Sequence, residues 1–467
     1  MPRQLDLALI AANRFGLGAG PGELDDIAHD PREWVLSQLQ TPPLADKALA
    51  ALPSSEQYQQ QIIEWRQQRK KANRESRKPA QRQTFSQRFN ADFVKEINLR
   101  AAQQCATTTP VTERLVMFWS NHFTISDEKQ PLKLLAGAME REAIRPRVCG
   151  NFTDMLLAVE QHPAMLIYLD NQQSTGPDSK VAMKRARQKQ ATSKTSINEN
   201  LAREIMELHT LSSEGGYSQA DVIALAEGIT GWRPWLAARK AQPLGPYGSR
   251  FAPAFHQPGE RQFLGRRFAQ KGAAQGEAML RHIAMDPHTA RFISFKLCRQ
   301  FVSDKPPPDL VDTLADTFRK HDGDLMPVYR ALFESDLAWQ PDQRKFRRPD
   351  EYLIALHRAL AIDLNPKQPG RWRQEMHLMG QNVFRPGSPA GWPDSADNWI
   401  GADAIWKRFF VASRYSGRLP SSRDAMELAR DSLGPRLGNR TSVAISEARN
   451  RRQATALVLA SPEFQWR

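Results

Sequence analysis

Ser196-Ile197-Asn198-Glu199-Asn200-Leu201-Ala202-Arg203-Glu204-Ile205-Met206-Glu207-Leu208-His209-Thr210 is the stretch whose reading decides the fold class. Ile197, Leu201, Ile205 and Leu208 follow at spacings of four, four and three, which places them on one buried stripe of a helix. Ser196 and Glu199 have the spacing of a capping box, each side chain satisfying an orphan backbone donor. The helix should stop by Gly215-Gly216. Ser218-Gln219-Ala220-Asp221 repeats the capping pattern and opens a second helix with Val222, Leu225, Ala226 and Ile229 inward. Asp286-Pro287 is a third start, Asp as N-cap and Pro in the first turn. Working outward, helical periodicity covers about 31–40, 44–51, 56–72, 90–104, 111–122, 130–144, 153–161 and 163–170. It returns, beyond 197–211 and 218–229, at about 274–285, 287–303, 308–320, 324–335, 349–363, 402–415 and 422–430. No stretch sustains period-two alternation and there is no Asn-Gly hairpin. Residues 232–268 read as a long loop or small hairpin excursion, and 364–400 as a Pro/Gly/Trp-rich connection. The expected fold is mostly α, with irregular Trp/Pro/Gly-rich loops and little β structure.

The chain has 467 residues, enough for about three domains or one large one. With 40% apolar and 25% charged residues it can build a real core, which excludes wholesale disorder and small disulfide scaffolds. Cys105, Cys149 and Cys298 are odd in number and far apart, with no zinc-knuckle spacing. No uncharged apolar run approaches the roughly 18 residues that span a bilayer. The first residues lack the apolar stretch of a signal peptide, Asp6 interrupting it, so the expected location as written is cytoplasmic. The net charge of +14 is concentrated. Residues 60–90 hold nine Lys/Arg against Glu64 and Glu75, a local +7, in what reads as a solvated helix or linker. Residues 179–196 hold six Lys/Arg and no acid, a local +6, and read as a mobile basic loop. The segregation of charge into loops and the lack of any recognition fold argue against nucleic acid, although Trp65, Phe85 and Phe89 accompany the first tract.

Phosphate-loop, dinucleotide, zinc-protease and nucleophile-elbow motifs are all absent, and Gly16-Leu17-Gly18-Ala19-Gly20-Pro21-Gly22 reads as a turn before a helix. What remains is a set of polar-aromatic clusters. In Phe118-Trp119-Ser120-Asn121-His122-Phe123, His122 shares a stripe with Leu115, Phe118 and Trp119, so it is a buried structural histidine or an acid/base group. His162-Pro163 can be a helix cap. Asp170-Asn171 closes an apolar helix, where the dipole disfavours a carboxylate, and an arginine, a metal or a local turn must offset it. Glu199, Arg203 and Glu207 line one helix face: a surface ion-pair ladder, or, with His209, a metal or general-base site. Trp232 and Trp392 in their Trp-Gly elements, with His256, wall a pocket or anchor loops.

In order along the chain, these clusters resemble a bacterial family, the domain of unknown function number 1800. The likeness runs from Asn13-Arg14-Phe15-Gly16-Leu17-Gly18 through Phe118–Phe123, Gly150-Asn151-Phe152, His162-Pro163-Ala164-Met165, Leu169-Asp170-Asn171 and Asn198–Glu204. It continues through Glu207-Leu208-His209-Thr210-Leu211, Thr230-Gly231-Trp232, Gly391-Trp392-Pro393 and Ser461-Pro462-Glu463-Phe464-Gln465. The resemblance implies one mostly helical unit over 1–467. The basic loop at 179–196 departs from the family pattern, inserted between Asp170-Asn171 and Asn198-Glu199-Asn200 where it would hang over the candidate site as a lid or docking segment. The resemblance also implies a neighbour of the sulfatase- or alkaline-phosphatase-like domain of unknown function 1501 family, with which co-export to the periplasm would follow. Two functions compete. The first is an acid/base or metal-assisted enzyme, such as a hydrolase, with catalytic residues among His122, Asp170, Glu199, Arg203, Glu207 and His209. Trp119, His162, Asn198, Trp232, His256 and Trp392 would then contact substrate, with or without a divalent metal. The second is a non-enzymatic assembly or co-export partner. Binding of nucleic acid or another polyanion is a third.

Overall fold

The structure is a computed structural model that describes residues 2–75, 84–188, 196–238, 240–364, 368 and 370–467. Helices dominate throughout. Those that flank the candidate site are close to the periodicity: Pro110–His122, Phe152–Glu160, Pro163–Tyr168, Gln219–Gly228 and Pro287–Phe301. Their starts are chemically marked. Ser218 and Asp221 form the expected capping box, Asp286 accepts from the His288 N–H, and Asn151 accepts from the Thr153 N–H. The chain also contains helices that periodicity does not single out: Pro2–Ile10, Arg371–Leu378 inside the Pro/Gly/Trp-rich connection, Asn439–Ser446 and Arg451–Ala460.

The irregular 232–268 region is a hairpin excursion. Ser249–Phe251 pairs with both Trp232–Pro234 and Gln242–Leu244, all antiparallel. Arg261–Phe263 pairs with Arg266–Phe268 across Leu264-Gly265, both with positive φ, as a tight two-residue hairpin turn requires. The second basic tract needs correction. Residues 180–187 are not a loop but the helix Lys180–Arg187, capped by the buried Ser179 hydroxyl and seated by Ala182. Its neck closes where the Thr175 N–H meets the Ser196 carbonyl, and Asp178 exchanges two hydrogen bonds with Gln257. This part therefore lies on the hairpin excursion; 189–195 lie outside the described residues. Of the first tract, 60–75 extend the helix Ser55–Glu75 and 84–90 open Phe85–Ala106, while 76–83 lie outside the described residues.

Two apolar clusters form the core. The larger holds the helices up to residue 339; the smaller gathers Pro349–Leu360, Arg371–Leu378, Ala402–Tyr415, Ala425–Leu433 and Arg451–Ala460. Helix Phe85–Ala106 joins them, with Phe85 and Phe89 in the first and Phe93, Ile97 and Ala101 in the second. A buried arginine cluster sits at the same seam. Glu351 pairs with Arg114 and, at 3.1 Å, with Arg467, and also accepts from Gln300 and the Arg348 N–H. Arg14, Arg347 and Arg408 spend their donors on backbone carbonyls of Gln340, Phe464 and Arg347 and on the Asn13 and Gln465 side chains. Arg467, at the C-terminal end, is thereby tied to Glu351 and also donates to the Arg14 carbonyl near the N-terminal end. Such a group is costly to desolvate, and removing one member leaves the others uncompensated.

Among the described residues, three single π-turns interrupt the helices, at Ala11–Phe15, Glu140–Ile144 and Ile205–His209. Each carries buried polar side chains: Asn13 and Arg14, Glu140, and His209. A π-turn inserts one residue, rotating everything after it, and recurs at functional sites.

Candidate functional site

The segment Asn198–His209 organises the site. Its helix, Asn200–Glu204, starts later than the capping-box spacing predicts. Glu199 does not cap it; its carboxylate takes Arg203 at 3.0 Å and Gln219 at 2.8 Å, while Asn198 Oδ1 accepts from the Asn200 N–H. The π-turn Ile205–His209 then moves the apolar stripe by one position. His209, not Leu208, faces inward, 1% exposed, and Leu208 is half-buried.

Turned inward, His209 meets two partners. Its Nδ1 lies 2.8 Å from Glu160 Oε1, both side chains being at most 1% exposed. Its backbone carbonyl lies 3.1 Å from His122 Nε2. A carbonyl only accepts, so His122 carries its proton on Nε2 and presents a bare Nδ1, which is buried without a partner. Burial first, then the proximity of Lys296 and His209, push the His122 imidazolium well below the ordinary histidine range, so the ring is neutral. Trp119, Phe123 and Phe292 surround it, with ring centroids at 5.3, 4.5 and 6.4 Å, and Trp119 donates to the Tyr329 hydroxyl at 2.7 Å. Trp119 is thus a wall of the buried ring cluster, held in place from behind. Lys296 keeps part of its side chain in solvent, yet burial of its charged end pulls the ammonium down to about 8.

Solvent reaches this centre's neighbours. Glu204 is half-buried, and burial raises its carboxyl while the nearby His209 and Arg203 oppose the rise and Glu207 adds to it. Tyr168 stands beside Glu204, its hydroxyl pushed up to about 12 by burial and by Glu204 and Glu128. Two residues on, Asp170 ends its helix in the left-handed region, φ 58°. Lys129 supplies the offset its position demands, at 2.7 Å from Asp170 Oδ1, and donates to the Ile167 and Tyr168 carbonyls. Asn198 closes the group by donating to the Asp170 carbonyl at 3.3 Å. Arg203 bridges Glu199 and Glu207 at 3.0 and 3.5 Å, all three about one-third exposed, the ladder arrangement. The three sequence clusters meet here through His122–His209, Tyr168–Glu204 and Asp170–Asn198.

Four other candidates have partners of their own. His162 caps helix Pro163–Tyr168 through Nδ1 and holds Glu142 at 3.1 Å through Nε2. Trp232 is fully buried and its carbonyl accepts from Asn171. His256 faces the Thr230 carbonyl and hydroxyl, at 3.0 and 3.2 Å. Trp392 is gripped by Asn121, whose side chain accepts from the Trp392 N–H at 2.8 Å and donates to its carbonyl at 3.0 Å. Gly391, at φ 86°, makes this possible, because a Cβ there would lie 2.4 Å from the Asn121 carbonyl oxygen. Among the described residues no three His, Cys, Asp or Glu side chains are gathered as ligands for a metal, so the residues do not fit the divalent ion considered from sequence. Sequence reasoning passed over Glu160, Lys129, Tyr168 and Lys296 as site residues; for Glu160 the signal was present, a carboxylate directly after the apolar run Met155–Val159.

No helix among the described residues is long and apolar enough to cross a membrane. No curated protein and no solved structure matches the chain. The family model described as "Protein of unknown function (DUF1800)" matches residues 10–466, nearly the whole chain, and includes every residue of the site above. The chain belongs to that family.

Proposed function

We propose that this protein is an acid/base enzyme of the hydrolytic kind, with Glu160, His209 and Glu204 as its proton-handling group. The observation that carries the reading is the 2.8 Å contact between Glu160 and His209 in a fully buried setting. A carboxylate there fixes the imidazole with its proton on Nδ1, leaving Nε2 as a base, the orienter–base relation of general-base catalysis. Glu204, raised by burial and open to solvent on one side, is suited to return a proton. His122 holds the π-turn by its bond to the His209 carbonyl. Asp170 with Lys129, and Arg203 between Glu199 and Glu207, form a charged rim. The test is turnover of chromogenic carboxylic, phosphate and sulfate esters by the wild type and by Glu160→Gln and His209→Gln. The expected result is hydrolysis of one class that falls at least about 100-fold in both variants. Hydrolysis of none, or activity that survives both substitutions, would sink the reading.

A second reading, docking to another protein, is favoured by one exposed face. On helix Ala402–Tyr415, Ile405, Trp406, Phe409 and Phe410 are 38%, 67%, 42% and 50% exposed, and the Trp406 and Phe409 rings stack at 5.7 Å. Lys407 and Arg414 alongside are already paired with Asp403 and Glu375, so the face is mainly apolar, and the occupant on this reading is the phosphatase-like neighbour that the family resemblance suggests. Co-purification with it at low salt, lost in Trp406→Glu, is the expected result; co-purification unaffected by Trp406→Glu would remove this face from the reading.

A further inference from the structure

A cleft opens beside the Asn121–Trp392 clamp. Its buried apolar walls belong to the smaller core cluster, and Phe384 packs against both. Met117, Ser120 and Asn121 line it from helix Pro110–His122, Trp372 and Met376 from helix Arg371–Leu378, and Phe384 and Trp392 from the irregular segment that follows that helix. Its charged lining is Arg100, Arg348 and Asp350. Arg100 is already committed, with Nε on Glu140 at 2.7 Å, and Ser120 donates to the same carboxylate at 2.8 Å.

Arg348 is not. It is 4% exposed; among the described residues its side chain bonds Asp350 at a long 3.4 Å, and its buried Nε has no hydrogen-bond partner. Burial would lower it, but Asp350 and Glu351 hold it above the ordinary arginine range, so it is a fixed cation. The backbone around it is already satisfied: the Arg348 N–H bonds Glu351 and the Asp350 N–H bonds Gln381. The cleft is therefore lined by a buried cation held through one long ion pair, with aromatic and thioether surface next to it.

We propose that this cleft binds a small organic carboxylate, with the carboxylate on Arg348 and an apolar body against Trp372, Phe384 and Trp392. A carboxylate is planar with two acceptors and matches the parallel N–H pair along a guanidinium edge. The cleft includes none of Glu160, His209 and Glu204, so the ester assay and the test below fail independently.

The test is calorimetric titration of the purified chain with phenylacetate, phenylacetamide and inorganic phosphate. Phenylacetate should bind at least tenfold more tightly than the uncharged amide, and Arg348→Gln should erase that preference. Val383→Trp, which fills the cleft from its half-buried edge without removing a hydrogen bond, should abolish binding. Equal affinity for acid and amide overturns the proposal, as does phosphate binding as tightly as phenylacetate. So does phenylacetate binding that Val383→Trp leaves intact, or none up to about 20 mM. If Arg348→Gln does not fold, the wild-type comparison of acid with amide still decides.

Discussion

Replacing Glu351 by glutamine removes one charge and almost no volume. The glutamine oxygen can still accept from the Arg348 N–H at 3.0 Å and keep the helix start. It cannot neutralise Arg114 and Arg467, both 1% exposed and both paired to Glu351. Against burial, Arg467, Arg114 and Arg348 hold the Glu351 carboxyl well below the carboxylate range, which measures how strongly the site wants this charge. Even with Glu351 present, burial and neighbouring arginines push Arg14, Arg114 and Arg347 down to about 9, still charged at neutral pH. Breaking a buried pair from one side costs about 3–5 kcal/mol. At roughly 2.1 cal/mol/K of unfolding entropy per residue, the 467 residues give about 1 kcal/mol/K. The midpoint of thermal unfolding should therefore fall by about 3–5 °C, measured by calorimetry at fixed scan rate and pH 7. A midpoint within about 1 °C of wild type would show that the carbonyls around the arginines, and not Glu351, carry the cluster.

Three other substitutions probe different links. Gly391→Ala puts a Cβ 2.4 Å from the Asn121 carbonyl at φ 86°, so it should cost about 2–4 kcal/mol and lower the same midpoint by a few degrees; no change would mean the clamp yields freely. His357 is 2% exposed, and burial, against its bond to the Ile362 carbonyl, takes it from 6.5 to about 4. Between those values the unfolded chain binds a proton that the folded chain refuses, so stability falls as pH falls, by about 2 kcal/mol from this residue between pH 7 and 4.5. His357→Phe should remove that share in urea titrations at the two pH values, and an undiminished acid loss would refute it. Arg203→Ala, in a ladder about one-third exposed, should change stability by no more than about 0.5 kcal/mol per pair, and a drop of several degrees would show that the ladder is structural.

The fold class was legible because helix periodicity and capping residues act over a few positions: Ser218 with Asp221, Asp286 before Pro287, and the stripes of Pro110–His122 and Phe152–Glu160 all formed as their spacing predicts. The hairpins at 232–268 were foreseeable as an excursion but not as pairs, since three-residue strands carry too little alternation to read. The site was legible as clusters and illegible as geometry. Asn198, Asp170, His122 and His209 could be named in advance, whereas Glu160 and Lys129 come from other segments and are joined to them only by folding.

By itself, then, the sequence determined a mostly helical member of its family, where helices such as Gln219–Gly228 and Pro287–Phe301 start, and which short motifs hold polar groups within apolar surroundings. Tertiary structure decided which of those groups face each other. The physical reason is clearest at Ile205–His209, where one residue more per turn carries His209 into the core beside Glu160 and leaves Leu208 half-buried. A 3.6-residue period counted along the chain assigns those two positions the other way, because the extra residue is stabilised by partners, Glu160 and His122, that lie 49 and 87 positions away.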